Sequence, residues 1–142
     1  MTLILDTDHL SILQQEDQPS YNRLRARLAE HPEEPIAVTI ISFQEQIQGW
    51  MAYLNQARTA SGIILAYEKL VGVLRYFSKA TVIPFNQAAQ VELERLRKQG
   101  VRIGTLDLRI ASIALAERCV LVSGNLKDFR KVPGLNVEDW LN

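Results

Sequence analysis

Short apolar runs of strand length alternate along this chain with stretches whose apolar residues fall at helical spacing. Strand-like runs occupy residues 3–5, 36–40, 81–85 and 119–123, with a weaker one at 135–137. Between them, Tyr21, Leu24 and Leu28 share one helical face, with Pro19-Ser20 ahead of it and Pro32 closing it. Ser42 is expected to open a helix carrying Ile47, Trp50, Met51 and Leu54, and a second run holds Ile63, Ile64, Tyr67, Leu70, Val71 and Leu74. Asn86 reads as the N-cap of a helix that ends at Gly100, and Thr105 as the cap of the next. Strands joined through helices need crossover connections. A mainly parallel sheet of four to five strands, covered on both faces in an α/β/α sandwich, is the expected architecture.

A chain of 142 residues fits one domain spanning 1–142, and a hydrophobic fraction of 47% is enough to give it a core, which excludes a disordered chain. The apolar stretches are too short and interrupted to cross a membrane. Met1 leads straight into the first strand, without the basic start of a secretory signal, and the lone Cys119 sits in an apolar run. A cytoplasmic location is expected from both. Net charge is formally zero, yet the bases are grouped: Arg23, Arg25 and Arg27; Arg95, Arg97, Lys98 and Arg102; Lys127, Arg130 and Lys131. Each group is also what a solvated helix face looks like.

In folds of this class, ligands gather beyond the carboxyl ends of the strands. Asp6 and Asp8 directly follow the first strand, and Glu45 falls in the expected first turn of the helix after the second. Asp107 falls in the first turn of the helix before the fourth strand, and Asp128 in the expected loop after it. Clustered carboxylates repel one another's ionised form, and a hard divalent cation with a preference for oxygen ligands removes that cost. Mg²⁺ or Mn²⁺ is therefore expected, with metal-assisted phosphoryl chemistry as the consequence. Two histidines and one cysteine do not make a usual zinc site. Each acid also has a structural explanation. Ser42-Phe43-Gln44-Glu45 spells a capping box, Asp107 suits a helix dipole, and Asp6 and Asp128 suit turns. Their joint placement carries the inference.

These residues resemble the PIN-domain family, in the form found in VapC-type toxins. Leu3-Ile4-Leu5-Asp6-Thr7-Asp8 is similar to its first motif, and Thr39-Ile40-Ile41-Ser42-Phe43-Gln44-Glu45 to its second. Ile103-Gly104-Thr105-Leu106-Asp107-Leu108-Arg109-Ile110-Ala111 is similar to the third. Leu121-Val122-Ser123-Gly124-Asn125-Leu126-Lys127-Asp128-Phe129, with Val132-Pro133-Gly134-Leu135 and Glu138-Asp139-Trp140, resembles the closing segment. The resemblance implies cleavage of RNA with Mg²⁺ or Mn²⁺, a homodimer, and a VapB-type antitoxin as inhibitory partner. It also implies that Asp6 and Asp107 are the principal metal ligands, supported by Glu45 and Asp128, with Asp8, Ser123 and Asn125 as outer neighbours. The second motif departs from the usual Glu-Leu-Arg-x-Gly, reading Glu45-Gln46-Ile47-Gln48-Gly49, and Asp8 stands where Asn is commoner.

Two rival readings remain at this level. Asp6-Thr7-Asp8 also fits the D-x-D nucleophile of a haloacid-dehalogenase-type phosphatase, although that reading leaves Glu45 and Asp107 unemployed. A PIN-like fold that has lost its chemistry and serves only as a binding module is the other. His9, followed by Leu10, Ile12 and Leu13, is expected to be a packing or turn residue rather than a general base.

Overall fold

The computed structural model describes residues 1–141. Its elements follow in the order β1 (Leu3–Leu5), α1 (Thr7–Leu13), α2 (Pro19–Ala29), β2 (Ile36–Thr39), α3 (Ile40–Gln56), α4 (Ala60–Lys79), β3 (Val82–Ile83), α5 (Gln87–Lys98), α6 (Thr105–Glu117), β4 (Val120–Val122), α7 (Leu126–Phe129) and β5 (Val137–Glu138). The strands form one sheet in the order β3-β2-β1-β4-β5, and every pairing is parallel. β1 lies at the centre, with Leu3 opposite both Ile36 and Val120.

Strands covered on both faces read as unbroken apolar runs, as β1 and β4 do. Ile4 and Leu121 point into a core built with Leu93 and Leu96 of α5 and Ile110 and Ile113 of α6. Leu3, Leu5, Val120 and Val122 point the other way, against Leu10, Leu24, Val73 and Phe77 from α1, α2 and α4. The side-chain period of two thus sorts each strand between two helical layers. The three-layer sandwich stands as expected.

Several boundaries differ from the sequence reading, each for a local reason. Helix α3 begins at Ile40, its N-cap being Thr39, whose Oγ1 accepts from the Ser42 amide at 3.2 Å. Ile40 is therefore helical rather than part of β2, and Ser42 is a buried helix residue rather than a cap. Glu45 consequently sits in the second turn of α3, not the first, and takes no part in a capping box. Thr105 is the first residue of α6 and makes no cap; Gly104 occupies that position. Asp128 lies in the short helix α7 rather than a loop. Helix α2 starts at Pro19, where a missing amide hydrogen costs nothing. Asn86 caps α5 as expected, accepting from the Ala89 amide, and Gly100 takes a positive φ of 79° beyond its end. Among the described residues, no helix is long and apolar enough to cross a membrane.

Candidate active site

From β1 the chain runs outward through β2 and β3, then returns to lay β4 on the other side of β1. Beyond the carboxyl ends of β1 and β4 the connections diverge, which opens a crevice at the switch of direction. Asp6 stands at that point. Its amide still belongs to the sheet, donating to the Val122 carbonyl at 2.9 Å. Its side chain is 6% exposed and caps α1, with Oδ1 accepting from the Thr7 amide at 2.9 Å. Oδ2 accepts from Ser123 Oγ at 2.7 Å. The acid at the end of the central strand is thus fixed through both of its oxygens.

Two further acids join it. Carboxylate oxygens of Asp6, Glu45 and Asp107 all lie within 4.8 Å of one another, although they come from the junction of β1 and α1, from α3 and from α6. Glu45 is aimed by Thr7, whose Oγ1 donates to Glu45 Oε1 at 3.0 Å and lies 2.9 Å from Ser42 Oγ. Thr7 and Ser42 were not singled out from the sequence as site residues. The available signal was the hydroxyl next to Asp6, but its target is 38 residues away.

Asp128 reaches this group through an intermediary. Asn125 Nδ2 donates to Asp107 Oδ2 at 3.1 Å and to Asp128 Oδ2 at 3.2 Å, while the Asn125 amide donates to Ser123 Oγ at 3.0 Å. The other oxygen of Asp128 pairs with Lys131 Nζ at 3.6 Å. Asp8 is not one of the three converging acids and is held by other partners. Its Oδ2 accepts from the Gly124 amide at 2.8 Å, and its Oδ1 from the His9 amide at 2.6 Å, with His9 Nδ1 at 2.8 Å. His9 is fully buried, and its Nε2 accepts from the Trp140 amide at 3.3 Å. His9 Nε2 also lies 3.7 Å from Asp139 Oδ1. His9 is a packing and bridging residue, as the sequence suggested.

The electrostatics follow from this crowding. Burial pushes the Asp6 carboxyl up to about 6, with the charges of Asp8 and Asp107 adding to it against the hydrogen bonds from Ser123 and Thr7. Burial also raises Glu45 and Asp107, helped by Asp107 and Asp8 in the first case and by Asp128 and Asp8 in the second. Asp8 differs in sign: burial opposes its ionisation, but the contacts from His9 and Gly124 outweigh it and hold Asp8 low. None of the ion pairs among the described residues involves Asp6, Glu45 or Asp107. Three converging carboxylates without a protein counter-charge match the demands of a hard, oxygen-preferring divalent cation. Among the described residues no lysine pairs with Asp6, and Asp8 is engaged by Gly124 and His9, so the D-x-D phosphatase reading has little support in this geometry.

No family model matches the chain. Comparison with known proteins gives 31% identity over 109 residues to Ribonuclease VapC1 of Haemophilus influenzae strain R2866, covering 77% of each chain. Ribonuclease VapC2 of Rickettsia felis is 36% identical over 69 residues, a match spanning 46% of this chain and about half, 52%, of that relative. Among solved structures, VapBC2 from Rickettsia felis bound to a DNA fragment from its promoter aligns over 99% of both chains, with a TM-score of 0.73 and 25% identity.

Proposed function

Because the chain belongs to the VapC ribonuclease family, we propose that it is the toxic component of a toxin–antitoxin pair and cuts RNA with a divalent cation held by Asp6, Glu45 and Asp107. One observation carries this reading: three carboxylates from three separate elements converge within 4.8 Å at the crevice where the sheet changes direction. Mg²⁺ is the proposed ion, with Mn²⁺ as a substitute. When bound it would supply positive charge to the phosphodiester and make water a better nucleophile near neutral pH.

The remaining chemistry belongs to the chain. Thr7 holds Glu45 Oε1, which leaves the other Glu45 oxygen to orient the attacking water and take its proton. A carboxylate whose proton affinity is raised by burial and neighbouring charge suits that task. Ser123 and the Thr7 amide keep Asp6 from turning, and Asn125 keeps Asp107 in register with Asp128. Water adds to phosphorus, its proton passes to Glu45, and the bond from phosphorus to the ribose oxygen breaks, the departing oxygen taking a proton from solvent. Bases near the crevice position the RNA backbone without reading its sequence.

The proposed partners are a VapB-type antitoxin and a second copy of this chain, acting in the cytoplasm. Exposed apolar residues on α3 and α4, including Met51, Tyr53, Ile64, Tyr67 and Leu74, support a protein-covered surface there. Cleavage of a mixed RNA pool in Mg²⁺ or Mn²⁺ tests the function. Cuts should vanish with EDTA and in Asp6→Ala and Asp107→Ala. Cutting that survives both substitutions would remove these acids from the mechanism, and a parent protein that cuts nothing would favour the binding-module reading.

A further inference from the structure

Asn125 sits where three lines of support meet. Its amide binds Ser123 Oγ, the hydroxyl that itself donates to Asp6, and its side-chain nitrogen serves Asp107 and Asp128 together. A carboxamide nitrogen carries two hydrogens and no more. Both are committed here, each to a different carboxylate. Asp107 and Asp128 would repel across a short gap without a donor between them. Asn125 supplies that donor while adding no charge. Asp128, by contrast, is hydrogen-bonded to the Asp6–Glu45–Asp107 group by way of this amide, beyond the effect of its charge on Asp107, and its second oxygen is turned to Lys131.

Resting on the proposed cation site, we infer that Asn125 is the positioning residue for Asp107, and that Asp128 acts on the site through Asn125 rather than as a ligand of its own. Asp128 anchors one side of the amide, and the amide sets the rotation with which Asp107 meets Asp6 and Glu45. Outer-sphere partners of this kind typically change metal affinity by roughly 10- to 100-fold. The arrangement also distinguishes Asn125 from an acid at the same place. An aspartate there accepts and cannot donate, so it leaves three carboxylates facing one another, a state relieved only by a cation.

Calorimetric titration with Mn²⁺ tests this in the full chain, using Asn125→Ala, Asp128→Asn, the double variant and Asp6→Ala. Asn125→Ala should weaken Mn²⁺ binding by roughly 10-fold or more, and Asp128→Asn by less. Adding Asp128→Asn to Asn125→Ala should change nothing further, because the path is already cut. Circular dichroism on the partly exposed Asp128 variant, which is expected to stay folded, separates positioning from a loss of structure. Additive losses in the double variant would overturn the inference and make Asp128 a ligand in its own right. Unchanged binding in Asn125→Ala would overturn it as well. Failure of the underlying site would look different: Asp6→Ala would then bind Mn²⁺ as the parent does.

Discussion

Burial of Asp6 governs how the cation-free protein responds to pH. Its folded pKa, about 6, stands above the ordinary 3.8 of an unfolded aspartate. Between those values the folded state holds a proton that the unfolded state has released, so stability falls as pH rises through that window. The penalty is absent below the lower value and complete above the upper one, where it amounts to about 3 kcal/mol. Asp6→Asn should therefore stabilise the cation-free protein at about pH 7.5 by roughly 1–3 kcal/mol in denaturant unfolding, and by almost nothing at about pH 4. A stabilisation equal at both pH values would assign the effect to packing instead. Asp6 was legible in the sequence because an acid ending an apolar central strand has few structural uses. Thr7 was not, since a hydroxyl beside an acid says nothing about a glutamate 38 residues away.

Short elements set the geometry at the carboxyl end of the sheet. The turn after β4 lies against the first turn of α1, and Asp8 joins them through the Gly124 amide. A Cβ on Gly124 would meet Asp8 Oδ2 at 2.9 Å, closer than real side chains come. Gly124→Ala should break that contact, costing about 1.5–3 kcal/mol, the range for a hydrogen bond to a charged group. In Asp8→Ala the same glycine substitution should cost far less, because the carboxylate it strikes is gone. Equal costs in the two backgrounds, measured by urea unfolding, would show that the turn is strained for another reason. These are the elements the sequence described least well. Helix α1 has seven residues and α7 four, too few for a 3.6-residue period to declare itself. The start of α3 was misplaced because two hydroxyl residues compete for the cap. Thr39 takes it, while Ser42 is buried against Thr7.

At the scale of the whole molecule, alternation of strands and helices was enough to announce a parallel sheet, and the long helices α4, α5 and α6 fall where apolar spacing put them. The strand order was not legible. Which side of β1 receives β4 depends on how the apolar faces of α5 and α6 divide the core with α1, α2 and α4, a matter of packing between distant segments. That order is nevertheless what makes the crevice, since it places β1 beside β4 and turns their following segments apart. Asp6 and Ser123 meet there only because of it. Glu45 and Asp107 then enter from helices on either side of the chain's midpoint.

The central claim is that this crevice holds a divalent cation between Asp6, Glu45 and Asp107. Anomalous scattering from crystals grown with Mn²⁺ at neutral pH addresses it most directly. The strongest peak should lie among the oxygens of those three residues, at metal–oxygen distances of about 2.0–2.3 Å, with Asn125 and Asp128 outside the coordination shell. An empty crevice at saturating Mn²⁺, or a dominant peak bound by other residues, would contradict the account.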